Sequence, residues 1–133
     1  MRVLLATLLL VLSTPIATAG APDPYTGRYA AECGDLVCDL DIEPRRGGWT
    51  VRWTATDPRL LDAVPKCAFT ATAKIGSAAM GPAGRVDGIA VGTVKGKAFG
   101  IFDLEPGRVS WSSTWEACPG VSPKAFYSAF GDE

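Results

Sequence analysis

The sequence contains no histidine. This absence excludes the Ser-His-Asp and Cys-His arrangements, in which an imidazole activates a nucleophile. It also removes the commonest protein ligand for zinc and the side chain that most often carries protons near neutral pH. An enzyme built from this chain would therefore have to work without an imidazole, and we expect neither a metal site nor a cofactor.

The chain also lacks an excess of charge of either sign. Its 13 Lys and Arg residues nearly balance its 14 Asp and Glu residues, for a formal net charge of −1. Proteins that bind nucleic acids or anionic membrane surfaces present a basic patch to the phosphates. The balanced composition gives no electrostatic case for either partner, and we expect no nucleic-acid binding.

Apolar runs long enough to span a membrane are absent too. The N-terminal run, residues 3–12, is about ten residues long, whereas a spanning helix needs roughly twenty. It follows a basic start and precedes the small-residue box Ala17-Thr18-Ala19, which is typical of a secretory signal peptide. We therefore predict a signal peptide at residues 1–19, a mobile lead at residues 20–24 and a single secreted domain at residues 25–133. After cleavage we expect no stable membrane insertion.

Four cysteines are present, and an even number in an exported chain favours disulfides. Four cysteines allow three connectivities. We favour Cys33–Cys38, because Gly34 and Asp35 form a turn between them, together with Cys67–Cys118, which closes a long loop. The rival hypothesis is a metal or redox site, since the spacing of the first pair suits two metal ligands. The isolation of the second pair argues against it.

Apolar and polar residues alternate with a period of two along most of the chain, which is typical of half-buried strands. The clearest case is a hairpin of residues 36–43 and 49–56, joined by a glycine-containing loop. Similar patterns predict strands at residues 25–32, 67–75, 85–94, 98–105 and 109–116. The sequence therefore predicts an all-β fold, a small antiparallel barrel or sandwich of about seven strands held by disulfides.

Two segments carry helix-start signals. Asp57-Pro58 places an N-cap residue before a proline, which predicts a short helical turn after the third strand. Ser122-Pro123 repeats the signal, and the spacing of Phe126 and Phe130 predicts a short C-terminal helix with both rings facing the sheet. The same two phenylalanines also fit a period of two, so an eighth strand is the alternative.

The four tryptophans form two pairs with a spacing of four residues, so each pair shares one face of a strand. We expect them to fill the core, because small domains need the large area that an aromatic side chain buries. The alternative is a cup that binds a small molecule or a sugar. Its lining would be Trp49, Trp53, Trp111 and Trp115.

Carboxylates recur on strand faces but do not form a recognisable catalytic or metal site. Asp39, Asp41 and Glu43 are spaced along one strand, opposite Arg52, which indicates cross-strand charge pairing rather than calcium binding. Asp103 and Glu105 have no partner placed by the sequence at the separation that a glycosidase needs. A histidine-free, carboxylate-dependent hydrolase is therefore the least favoured hypothesis.

The best-supported hypothesis is a non-catalytic, monomeric domain in the periplasm or outside the cell. It would bind a protein or an envelope component, for instance as an inhibitor of a hydrolase, a suggestion that rests on analogy between folds. Loops tend to carry binding residues, and the candidate contact loops are residues 57–66 and 76–84. The residues singled out in or beside them are Leu60, Leu61, Met80 and Arg85.

Overall fold

The computed structural model describes residues 23–60, 64–79, 82 and 84–130, and the predicted signal peptide lies outside them. Each strand pairs with the next in antiparallel fashion, and the first pairs with the last, so the sheet closes into a barrel. This confirms the predicted all-β fold and selects the barrel over the sandwich, with eight strands where about seven were predicted. The strands are β1 (Gly27–Cys33), β2 (Leu36–Arg45), β3 (Gly48–Thr56), β4 (Cys67–Ala79), β5 (Arg85–Val94), β6 (Lys97–Glu105), β7 (Arg108–Ser112) and β8 (Ala125–Ala129).

The barrel interior is filled by the apolar side chains that alternate along the strands. Leu40 on β2 lies opposite Trp53 on β3, and both side chains are buried. Ile101 on β6 lies opposite Trp111 on β7 in the same way. A barrel of eight strands has an interior just wide enough for side chains to fill. The burial of these residues therefore makes the interior the hydrophobic core of the domain.

Two buried tyrosines form hydrogen bonds on β1 and β8, the first and last strands, which pair to close the barrel. The hydroxyl of Tyr29 on β1 donates a hydrogen bond to the carbonyl oxygen of Tyr25 (2.8 Å). The hydroxyl of Tyr127 on β8 likewise donates to the carbonyl oxygen of Pro123 (2.6 Å), and it also accepts a hydrogen bond from Nε1 of Trp53 (3.0 Å). Each tyrosine therefore links its strand, by a hydrogen bond, to the segment that precedes that strand in the chain.

Two disulfides join Cys33 to Cys38 and Cys67 to Cys118, which confirms the favoured connectivity. Both lie at the end of the barrel where β1 meets β2, which we call the disulfide end. The opposite end holds the entry into β1 and the connections β2–β3, β4–β5 and β6–β7, and we call it the cleft end. The two bridges are consistent with an oxidising, exported environment.

The predicted C-terminal helix is wrong, since Ala125–Ala129 forms strand β8. This strand completes the barrel between β7 and β1, and it places Tyr127 inside. Phe126 and Phe130 consequently point outward, with 68% and 59% of their surfaces exposed, instead of facing the sheet. The hydrogen bonds of barrel closure outweigh the local helix signal.

Other segments also differ from the predictions. β4 runs on to Ala79, into the predicted loop, because β5 pairs with it along that length. β7 ends at Ser112, four residues before the predicted end of the strand. After the third strand, where a helical turn was predicted, the described residues form a turn in which the Leu60 N–H donates to the Asp57 carbonyl oxygen (3.2 Å). Residues 61–63 of the predicted segment lie outside the described part.

Candidate functional site

A cleft of about 920 Å³ opens at the cleft end of the barrel. Residues from the N-terminal segment, from the β2–β3 hairpin and from β4, β5 and β6 line it. Most of the large side chains among them are apolar, with three charged groups at the edge. The lining residues are Asp23, Pro24, Tyr25, Gly47, Gly48, Trp49, Lys74, Ile75, Val86, Gly88, Ile89, Phe102 and Asp103.

The cleft exists because β5 and β6 separate as they approach this end. Their pairing runs from Val94↔Lys97 to Ala90↔Ile101 and stops there. Beyond that point, residues 85–89 of β5 pair with β4, while residues 102–105 of β6 follow β7. The wall of the barrel therefore divides, and side chains from both branches line the opening.

A β-bulge at Gly88 marks the start of the division. Gly76 of β4 lies opposite Ile89, but the next residue, Ser77, lies opposite Asp87, so Gly88 is an extra residue on β5. Its φ of +76° belongs to the left-handed region, which glycine adopts without the strain that a side chain would cause. A bulge of this kind bends the strand and increases its twist, which turns the end of β5 away from β6.

Tyr25 and Trp49 form the aromatic floor of the cleft. Their ring centroids are 4.9 Å apart in an edge-on arrangement, and both side chains are buried. Nε1 of Trp49 donates a hydrogen bond to Oδ2 of Asp23 (2.8 Å), which ties the N-terminal segment to β3. The backbone N–H groups of Tyr25 and Thr26 also donate to this carboxylate (2.8 and 3.2 Å). The floor is therefore fixed by hydrogen bonds as well as by packing.

Two carboxylates give the cleft a negative side. Partial burial works to raise the pKa of Asp23, but the hydrogen bonds from Thr26, Trp49 and Tyr25 outweigh it and hold that pKa below its ordinary value. Burial raises the pKa of Tyr25 and of Tyr29, and the charges of Asp23 and Asp103 add to the shift. Both tyrosines therefore stay protonated, and both lie in the field of the two carboxylates.

Asp103 and Asp23 are both exposed, but Asp103 accepts none of the side-chain hydrogen bonds found among the described residues, whereas Asp23 accepts several. The ion pairs among the described residues leave Asp103 out, although neighbouring Glu105 pairs with Arg108 (2.7 Å). Lys74, on the opposite side of the cleft, is also exposed and takes part in none of those pairs. The cleft thus combines an apolar floor with a carboxylate without hydrogen-bond donors, Asp103, and a cation outside those ion pairs, Lys74.

The structure distributes the four tryptophans over different parts of the barrel. Trp53 and Trp111 are in the core, where Trp53 stacks on Phe69 (5.0 Å between centroids). Trp49 lies on the cleft floor. Trp115 lies beyond the end of β7, half-buried, and its Nε1 donates to the Ala98 carbonyl oxygen (2.7 Å) near the disulfide end. The four rings therefore do not surround a single space.

The candidate contact residues Leu60 and Arg85 lie at opposite ends of the barrel. Leu60 is 60% exposed and follows β3 at the disulfide end. Arg85 is exposed at the start of β5, near the cleft, where it donates to Oγ of Ser77 (2.8 Å) and lies 3.8 Å from Asp87. Leu61 and Met80 lie outside the described residues. The two predicted contact loops therefore occupy opposite ends of the barrel.

The acidic strand face forms the predicted charge pair, with Nη1 of Arg52 2.7 Å from Oε2 of Glu43.

Several cleft residues were missed by sequence reasoning, above all Asp23, Ile89 and Phe102. Their position depends on the division between β5 and β6, and the glycine at position 88 was the one local signal of it. A glycine inside a strand pattern suggests a bulge, but it does not show in which direction the strand bends.

Among residues 23–60, 64–79, 82 and 84–130, no three His, Cys, Asp or Glu side chains are grouped so that they could hold a metal ion. Within the same part of the chain, no helix combines the length and the apolar character needed to cross a membrane. No known protein family matches the chain, and the comparisons with curated proteins and with solved structures gave no match.

Proposed function

We propose that this chain is an exported, non-catalytic binding domain, and that the cleft is its contact site for a protein or an envelope component. One observation carries the proposal: the barrel interior is full, while an apolar cleft remains open at one end. A concave apolar site with a few polar groups at its edge is the usual form of a binding site. Ile75 reinforces it, because this cleft residue leaves 57% of its surface exposed.

The exported location is part of the proposal. It rests on the signal peptide predicted at residues 1–19 and on the two disulfides, which persist in oxidising compartments. The domain would act in a periplasm or outside the cell. An inhibitor of an extracytoplasmic hydrolase is one form that such a binding domain could take, by analogy between folds alone.

Site-specific photo-crosslinking in the source organism tests the proposal. A benzoylphenylalanine replaces Val86, which lines the cleft, and in a matched control it replaces Asp35, in the β1–β2 turn at the disulfide end. We expect a discrete crosslinked product from the Val86 position alone. Equal products from both positions, or none from Val86 in a folded protein, would contradict the cleft as the contact site.

A small apolar molecule or a sugar is the second candidate ligand, favoured by the aromatic floor of Tyr25 and Trp49. Such ligands stack on indole rings, so binding should change the fluorescence of Trp49. The measurement is a titration of the purified domain with sugars and apolar dyes, with Trp49→Phe as the comparison. A response that persists in Trp49→Phe would place the ligand elsewhere.

A further inference from the structure

The division of the barrel wall leaves two strand edges facing the cleft. Residues 85–89 of β5 pair with β4 on one side only, and residues 102–105 of β6 pair with β7 on one side only. The backbone hydrogen bonds that the described residues make outside the strand ladders involve neither stretch. Unpaired strand edges carry N–H and C=O groups that another strand can satisfy.

We propose that the partner enters the cleft as an extended peptide segment that pairs with the edge of β5 at residues 85–89. This inference rests on the proposed function and specifies the shape of the partner. Addition of a strand to an exposed edge takes its affinity from main-chain hydrogen bonds and its specificity from pockets for alternate side chains. Five edge residues at about 3.4 Å each accommodate a segment of about five residues.

The walls of the cleft define which side chains the segment would carry. Ile89 and Phe102 come from the two branches and line the cleft together with Tyr25 and Trp49 of the aromatic floor, so one face of the segment should be apolar. Asp103 is the unpaired carboxylate on this side, whereas the carboxylate of Asp23 is already occupied by donors. Charge complementarity therefore favours a lysine or arginine beside the apolar residues.

Selection from random 12-residue peptides displayed on phage tests the inference, with the secreted, disulfide-bonded chain as the target. We expect enriched peptides in which apolar and basic residues alternate. A synthetic copy should lose at least about tenfold in affinity when alternate backbone nitrogens are methylated, because N-methylation removes the donors of one strand edge. Methylation of the intervening nitrogens should have little effect.

Two protein-side measurements locate the peptide. Hydrogen exchange at residues 85–89 should slow on binding, since new main-chain hydrogen bonds protect those amides. Asp103→Asn should weaken the basic peptides about fivefold, the equivalent of about 1 kcal/mol. The matched control Asp35→Asn, at the disulfide end, should leave the affinity unchanged.

The outcomes separate this inference from the function on which it rests. Peptides that tolerate methylation at every nitrogen, or that protect other amides, would overturn strand addition. An absence of enriched peptides combined with crosslinking from Val86 would also overturn it, while leaving the cleft as the contact site. A concentration-dependent dimer in sedimentation that protects residues 85–89 would replace the peptide partner by a second copy of this chain. Failure of the Val86 crosslink would overturn the proposed function itself.

Discussion

The buried hydrogen bond between Trp53 and Tyr127 provides the sharpest test of the core. Replacing Tyr127 by phenylalanine removes one oxygen atom and leaves the shape of the ring unchanged. That oxygen accepts from Nε1 of Trp53 (3.0 Å) and donates to the carbonyl oxygen of Pro123 (2.6 Å). Because all three groups are inside the barrel, water cannot replace the lost contacts. The substitution should therefore destabilise the fold without creating a cavity.

The expected loss follows from the number of polar groups left without partners. A buried donor or acceptor that loses its partner costs about 1–3 kcal/mol. Tyr127→Phe leaves two such groups and should lower the free energy of unfolding by about 2–6 kcal/mol. Tyr29→Phe is the matched control, since the hydroxyl of Tyr29 makes a single bond, to the carbonyl oxygen of Tyr25. It should cost about half as much.

Urea unfolding followed by far-ultraviolet circular dichroism measures both losses. A double-mutant cycle with Trp53→Phe then isolates the indole contact, for which we expect a coupling energy of about 1–3 kcal/mol. Once the indole N–H is absent, Tyr127→Phe should cost no more than Tyr29→Phe. Equal losses for the two single tyrosine variants, or a coupling energy below about 0.5 kcal/mol, would refute this account of the core.

Two further predictions concern the disulfide end. Replacing both Cys67 and Cys118 by alanine should lower the free energy of unfolding by about 4 kcal/mol, because that bridge spans 51 residues. Removing the bridge across the β1–β2 turn, which spans 5 residues, should lower it by about 2 kcal/mol. Equal losses in urea unfolding would contradict the dependence on loop length. A hydrogen bond from the side chain of Arg59 lowers the pKa of Asp57 to about 2, so Asp57 stabilises the fold fully above about pH 4 and loses this effect as the pH falls towards 2. Melting temperatures of Asp57→Asn should therefore vary less between pH 4 and pH 2 than those of the wild type, and parallel curves would argue against the ion pair.

The positions of most strands were predictable because they obey a period of two. Leu40 and Trp53 alternate with polar neighbours, so burial of one face follows from the sequence alone. The disulfide pairing was also within reach, since the turn at Gly34 brings Cys33 and Cys38 together and leaves one other pair. These features depend on local spacing, which the chain carries without reference to distant residues.

The cleft was beyond prediction for a physical reason. Tyr25, Ile89 and Phe102 come from three separate segments, and they meet because β5 bends at Gly88 and parts from β6. The bend direction depends on the twist of the closed barrel, which no single segment records. For the same reason the sequence showed an apolar ring at position 102 without showing what it would line.

The alternating pattern by itself determined that this chain folds as a disulfide-bonded β-domain with its tryptophans mostly inside. Tertiary structure alone decided the state of the last segment, because the sequence favoured a helix there although Phe126 and Phe130 also fit the period of a strand. Closure of the barrel settles the choice, since an open sheet would leave the hydrogen-bonding groups of β1 and β7 unpaired. Long-range pairing therefore decided both the eighth strand and the opening at the other end, where pairing between two strands stops.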